Sequence, residues 1–466
     1  VHLPGIGVRG RTASARTPRL ATWALTAATG GFIFGYQVAV ISGALLFIRR
    51  DLGLTDAEQG VLVAVMPLGA MAGGLLAGRL ASSLGRRGAL LVGSVVVAVG
   101  TVLTVVAPAL GLLLAGRAII GLAVGVLSST VPLYLAEIAP VAVRGRLVTV
   151  NQLMVTLGIL VAYLVDLAFS GSGSWRAMFA VGLLPAAALL VGMVRAPETP
   201  AWLDSHGRPE EARRVATEVA GRAEADRMLE DDRRSRAEEG GRVSARELVR
   251  SSARPMLIIA VALATMQQWV GINAIVSYAP RIMERTGLSA SNSILASVTL
   301  GVVNVVATVV AVRLVDQRGR RPLLFVSLAG MLAALAVLAL SFAVSLGSAD
   351  SWVALVALLT YMAAFAIGMG PIFWLLVAEI FPPEARAVGA GIATAAVWFW
   401  NVVVNLVFLP IAAAIGPGAT FWIFAAVCAV ALAFVRRYVP ETKGRSFADI
   451  AADVRARWHD GGLARG

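Results

Sequence analysis

One cysteine, Cys428, and one lysine, Lys443, are all the chain has of either residue. A single thiol excludes an intrachain disulfide and a thiolate-bound metal cluster. The three histidines, His2, His206 and His459, fall in segments expected to be terminal or loop, where metal ligation has little support. Charge is scarce too, with 14% charged residues against 58% hydrophobic ones. A soluble domain that apolar would leave too much hydrocarbon in water, so lipid is its better solvent. The apolar runs contain no spaced His/Asp/Glu set and no nucleophile elbow, which argues against an enzyme and against a cofactor. A net charge of +13 would invite nucleic acid in a soluble protein. Here the arginines gather between apolar runs, where they fix topology, and nucleic acid is not an expected partner.

Long apolar segments are what the chain has in quantity. They recur at 21–48, 59–82, 88–107, 109–137, 146–169 and 175–195, then at 255–285, 290–316, 322–345, 351–380, 386–412 and 418–438. The expected fold is therefore all-α, with twelve membrane-spanning helices in two halves. Five segments follow: a cytoplasmic stretch 1–20, a six-helix bundle 21–195, cytoplasmic linker helices 196–252, a second bundle 253–438 and a cytoplasmic tail 439–466. The first twenty residues are too polar for a secretory h-region, so the first run reads as a retained helix. Pro67, Pro132, Pro185, Pro371 and the Gly121/Gly125 pair lie inside these runs. Membrane helices tolerate such residues, because neighbouring helices re-satisfy the freed backbone groups. With the N-terminus inside, the loops holding Arg86/Arg87, Arg144/Arg146, Arg318/Arg320/Arg321 and Arg386 are cytoplasmic. The opposite loops are mostly poor in charge, except the first, where Arg49 and Arg50 are offset by Asp51, Asp56 and Glu58.

One charge pattern occurs twice. The first half carries Gly78-Arg79-Leu80-Ala81-Ser82-Ser83-Leu84-Gly85-Arg86-Arg87, then Glu137, Pro140 and Arg144. The second carries Val312-Arg313-Leu314-Val315-Asp316-Gln317-Arg318-Gly319-Arg320-Arg321, then Glu379, Pro382 and Arg386. Internal duplication of this kind marks a two-half membrane transporter. Charges beside a membrane need partners. The glutamates and arginines are expected to form latches that tie the bundles together at the cytoplasmic surface and part in the other conformation. The alternative is that these arginines only fix topology.

The chain closely resembles the sugar porter family of the major facilitator superfamily over residues 25–447. The resemblance lies in Gly35-Tyr36, Arg117 with Gly121, Pro132-Leu-Tyr-Leu-Ala-Glu137, Asn151-Gln152-Leu153, Trp175-Arg176, Pro197-Glu-Thr-Pro200, Gln267-Gln268, Gly271-Ile-Asn273, Asn304 and Pro440-Glu-Thr-Lys-Gly444. It implies that Glu198 and Glu441 join the cytoplasmic charge network. It also implies a monosaccharide partner, a plasma-membrane location and transport by alternating access. Oligomeric state stays open, a monomer being sufficient.

A sugar offers hydroxyls around a ring with apolar faces, so its site needs carboxamides and aromatic surfaces. The candidates are Gln152, Gln267, Gln268, Asn273, Asn304, Trp374, Trp398 and Asn401, with Phe34 and Tyr278 in support. Gln268 and Asn273 share a face if the helix unwinds at Gly271. Ser277 stands where the family commonly has an aromatic residue, and Ala366 where some mammalian relatives carry glutamate. Proton-coupled members place aspartate after the Gly-Tyr of the first helix, beside the helix-four arginine. This chain has Gln37 there and keeps Arg117. An amide exchanges no proton near neutral pH, which favours facilitated diffusion. The alternatives are a proton symporter using another carboxylate and a transport-inactive sugar sensor. Asp166, near the outer end of its helix, reads as a solvated interfacial charge. Ser82 replaces the usual aspartate of the first motif and is expected to weaken that latch.

Overall fold

The computed structural model describes residues 18–238, 244–251, 253–343, 349–445 and 447–460. Most of the 1–20 segment thus lies outside the described residues. In hydrocarbon each backbone N–H and C=O needs a partner within its own segment, so these apolar runs become helices. The first half comprises α1 (Pro18–Leu52), α2 (Asp56–Ser83), α3 (Gly85–Val105), α4 (Leu110–Ile138), α5 (Val141–Ser170), α6 (Trp175–Ala180) and α7 (Leu183–Arg195). Among the described residues four short helices link the halves: α8 (Pro200–Ser205), α9 (Pro209–Ala220), α10 (Arg222–Glu238) and α11 (Ala245–Arg250). The second half comprises α12 (Arg254–Trp269), α13 (Ile272–Glu284), α14 (Ala290–Arg318), α15 (Arg320–Ser341), α16 (Asp350–Ile367), α17 (Met369–Ile380), α18 (Pro383–Ile415) and α19 (Pro417–Tyr438). A last helix, α20 (Phe447–Asp460), follows them.

Three pairs, α6–α7, α12–α13 and α16–α17, are each one broken span. Among the described residues this leaves twelve spans long and apolar enough to cross a membrane. Leu75 is 70% exposed, and Leu184 and Trp352 are each 69% exposed. Side chains of that kind on the outer faces need lipid beside them. In the linker, α9 and α10 divide at Gly221. Ala212, Val215, Ala216 and Val219 form the buried face of α9. Ala212, Val215 and Ala216 pack with Leu203, Ala225, Met228 and Leu229 in a small core of their own, while Val219 joins the core of the first half.

Within the halves, α2 lies on α4, α1 on α5, and α15 on α19. Between them, α2 meets α18, α5 meets α14 and α1 meets α13. The end where α2 turns into α3 and α14 into α15 is the motif end. The opposite one, where α1 leads into α2, is the far end. Thr55 and Glu58 form a capping box that starts α2 there, each satisfying the other's backbone N–H.

Candidate functional site

At the motif end the repeated sequence builds the same object twice. Arg86 donates to Glu137 Oε1 from Nε at 3.0 Å and from Nη2 at 2.8 Å. Glu198 accepts the backbone N–H groups of Arg86 and Arg87, each at 3.0 Å. Its carboxylate thus sits on the N-terminus of α3, where the helix dipole favours an anion. In the second half Arg320 Nη2 donates to Glu379 Oε1 at 2.7 Å, and Glu441 accepts the N–H groups of Arg320 at 2.9 Å and Arg321 at 3.0 Å. Thr199 and Thr442 each add a hydroxyl bond, to Glu137 at 2.6 Å and to Glu379 at 2.5 Å. The glycine before each arginine pair is dictated by this geometry. Gly85 and Gly319 have φ of 82° and 88°. A Cβ on them would come 2.1 Å from Glu198 and 2.8 Å from Glu441. The second arginine of each pair reaches the end of its half's last span. Arg87 Nη2 donates to Val194 O at 2.8 Å and Arg321 Nη2 to Arg436 O at 2.7 Å.

Two expectations need correction. The arginines seven residues after the glutamates are not their partners: Arg386 donates to Phe381 O at 3.5 Å, and Arg144 joins neither network. The turn at Pro140 and Pro382 points them elsewhere, while tertiary packing brings in Arg86 and Arg320. Second, both networks close within one half. They brace the motif end of each half and do not tie the halves together in this conformation. Ser82 leaves the first network intact, its backbone carbonyl accepting Trp202 Nε1 at 2.9 Å; the side chain of Asp316 lies outside the described residues.

Burial by itself would raise the Glu441 carboxyl, but backbone N–H groups of Lys443, Arg320, Arg321 and Thr442 together hold it below its ordinary value of 4.5. A carboxyl depressed in the folded state stabilises fully above that ordinary value and loses its effect as pH falls through the depressed one. Glu441→Gln is therefore expected to lower the melting temperature near neutral pH and to flatten its decline toward about pH 4.

Midway along the bundle the amides of the broken span meet. Gly271, with φ of 96°, separates α12 from α13. Across the break Asn273 donates to Gln268 Oε1, Gln268 Nε2 to Gln267 Oε1 at 3.2 Å, and Gln267 Nε2 to Met369 O at 3.1 Å. Asn273, Ser277, Trp398, Asn401 and Asn405 line a narrow hollow of about 10 Å³, with Arg117, Val38, Ile41, Val63, Met66 and Pro67 from the first half. Asn405 was not singled out from the sequence, although it stands one turn after Asn401 and bonds to its Oδ1 at 2.7 Å. Phe34 meets Trp398 across the halves at 5.8 Å between centroids. Tyr278 is buried and donates to Asn405 O at 3.0 Å.

Other candidates lie outside this hollow. Asn304 is buried on α14, Trp374 is 43% exposed against Phe373, and Gln152 is exposed. Gln152 is eleven residues, about three turns, before Tyr163, and so shares its face of α5. Tyr163 uses that face to reach Val276 O in the second half at 3.0 Å. Gln152 thus lies, exposed, on the face of α5 that meets the second half further along the helix.

Arg117 is buried and donates to the backbone carbonyl of Gln37 at 3.0 Å, with Phe179 under its guanidinium at 5.6 Å. The Gln37 amide turns away to Thr101 Oγ1 at 3.4 Å. Arg117 is thus held by a main-chain oxygen, with no carboxylate bonded to it among the described residues. Asp166 overturns its solvated reading. It is fully buried, because Gly43 lacks a side chain and lets the carboxyl lie against α1.

The far end is closed. Arg281 reaches from α13 to Asp56 and Gln59 on α2, and Glu284 takes Arg49 and Arg50 at 3.4 and 3.1 Å. Ser170 Oγ meets Ser291 Oγ at 3.2 Å. Among the described residues, every side-chain hydrogen bond from one half to the other is at this end or above the hollow.

Two six-span halves, sealed at one end over a polar hollow they share, define a membrane carrier of the major facilitator type. The model of the sugar (and other) transporter family matches residues 23–454. The glucose transporter GlcP of Staphylococcus epidermidis is 38% identical over 92% of this chain and 96% of its own length. The galactose-proton symporter of Escherichia coli (strain K12) is 36% identical over 92% of this chain and 93% of its own length. Among solved structures, the partially occluded inward open conformation of the xylose transporter XylE from E. coli aligns with a TM-score of 0.82. It is 30% identical and covers 92% of this chain and 99% of its own. The same transporter bound to 6-bromo-6-deoxy-D-glucose aligns at 0.77, with 94% and 99% covered. The chain belongs to the sugar transporter family.

Proposed function

We propose that this protein carries a monosaccharide across the plasma membrane by facilitated diffusion, with its motif end and both termini toward the cytoplasm. The observation that carries this reading is the hollow itself. Carboxamides of Asn273, Asn401 and Asn405 both donate and accept, which suits a ring of hydroxyls, and the Trp398 indole offers a face for the apolar side of the ring. Both halves contribute to it, so their relative motion changes which side can reach a bound sugar. The higher alignment with an inward open transporter fits a far end turned outward. Orientation is also supported by the arginine-rich loops at the motif end.

Alternating access needs the far-end seal to open while the motif ends of the halves approach. The two braces hold the motif end of each half together during that rocking. Facilitated diffusion follows from Gln37: the position that would hold a proton beside Arg117 carries an amide. The decisive experiment is uptake of labelled glucose, xylose and galactose into proteoliposomes, with and without an imposed pH gradient. Equilibration without accumulation is expected. Accumulation that a protonophore collapses would establish a symporter instead, as the name of the galactose relative describes. Absence of any exchange would favour a sensor.

Asn401→Ala removes one amide from the hollow and the partner of Asn405. A lost hydrogen bond to an uncharged ligand group costs about 0.5–1.5 kcal/mol, or roughly a two- to thirteenfold weaker affinity. The sugar-dependent rise in melting temperature, titrated against concentration, reads that shift.

A further inference from the structure

Asp166 sits within the far-end seal, three residues after Tyr163 and four before Ser170, both of which touch the second half. Its Oδ2 accepts the backbone N–H of Gly43 at 3.0 Å, and its Oδ1 is buried with no partner. Among the described residues no cation bonds to it. On α1 the titratable neighbour is Tyr36 and on α5 it is Tyr163, and both hydroxyls donate to backbone carbonyls, Met178 O and Val276 O. The charged groups on the elements around are engaged elsewhere. Arg117 of α4 holds Gln37 O, Arg176 of α6 holds Ala107 O and Asp51, and Arg49 and Arg50 of α1 hold Glu284. Arg281 of α13 holds Asp56 and Gln59, and the arginines of α14, Arg313 and Arg318, are at the motif end. A buried carboxylate with one N–H and no counter-charge is costly enough that such a group is held neutral instead.

We propose that Asp166 is a proton-binding site that locks the far end shut, making opening on that side sensitive to external pH. The proton comes from far-side water, binds Oδ1, the oxygen without a partner, and returns to the same water when the seal opens and the carboxylate is hydrated. No proton crosses the membrane in this cycle, so it regulates a facilitated carrier without driving it. Acid outside favours the sealed state, and alkali favours opening. The inference rests on the alternating-access reading above.

The test uses Ser170→Cys with Ser291→Cys in the full chain carrying Cys428→Ser, reconstituted in liposomes, with a short thiol cross-linker applied outside. Cross-linking reports the sealed far end. It is compared between Asp166 and Asp166→Asn at each pH, so that the pH dependence of the thiols cancels. At about pH 5.5 the two should cross-link alike, and at about pH 8.5 the Asp166 protein should cross-link roughly three- to tenfold more slowly. Coincident curves across the range would overturn the proposal. Asp166→Ser, which also cannot ionise, makes the same comparison if the asparagine variant fails to insert. A pH-driven accumulation of sugar would refute facilitated diffusion while leaving this comparison intact.

Discussion

Arg281→Met should open the far end. Methionine keeps most of the length and apolar packing of the side chain while removing the guanidinium. The Arg281 side chain is 8% exposed, and its guanidinium is the group by which α13 holds both Asp56 and Gln59 on α2. Gln59 is fully buried and already donates its own amide to Leu54 O at 3.0 Å, so its oxygen has Arg281 as its donor. Hydrogen bonds to charged groups are worth about 1.5–3 kcal/mol each, but Asp56 is partly solvated and regains water when the halves separate. A net loss of about 2 kcal/mol from the sealed state is therefore expected, roughly a thirtyfold shift toward the open one. In a Cys428→Ser background, Val63→Cys places a thiol in the hollow below the seal. Its reaction with a membrane-impermeant maleimide from the far side should accelerate by that order of magnitude. An unchanged rate would mean the seal is held elsewhere. Glu284→Gln makes the control, since its partners Arg49 and Arg50 are 31% and 56% exposed. Surface pairs contribute about 0–1 kcal/mol, so its effect should be several-fold at most.

The far-end charges show where sequence reading stops. Asp56, Arg49 and Arg50 appear in the sequence as an exception in an otherwise charge-poor series of loops, and Arg281 as a charge near the end of an apolar run. Topology rules count charges by side and carry nothing about which half a partner belongs to. The motif-end networks were legible as a repeated pattern because the duplication is local. Their partners were not, because Arg86 and Glu137 are 51 residues apart and meet through the packing of α3 on α4. The twelve spans were the easiest feature, since length and hydropathy nearly determine them. Asp166 was misplaced for the opposite reason. Its distance from the helix end suggests water, whereas its burial depends on Gly43 across the contact with α1. Gln152 and Trp374 resemble site residues by type, yet both lie outside the hollow that Asn273 and Asn401 line.

Gly271→Ala is expected to damage fold and site together. The residue has φ of 96°, a left-handed conformation that costs an L-residue about 1–2 kcal/mol. Space is also lacking. An added Cβ would lie 2.5 Å from Phe424 Cδ2, and that ring is held by Phe408 and Phe421 with centroids 6.1 and 6.3 Å away. Overpacking a core of this kind costs about 1–3 kcal/mol more. The protein can relieve both by straightening the helix, which rotates Asn273 away from Gln268 and dismantles the amide chain that reaches Met369. A lower melting temperature and loss of sugar-dependent stabilisation should therefore appear together. Phe424→Ala in the same chain separates the two causes, because it removes the clash and leaves the backbone strain. If the double variant regains stability but not sugar response, the left-handed turn is what aligns the amides. If Gly271→Ala alone melts like the parent and still responds to sugar, the break between α12 and α13 does not depend on glycine, and the amide geometry has another origin.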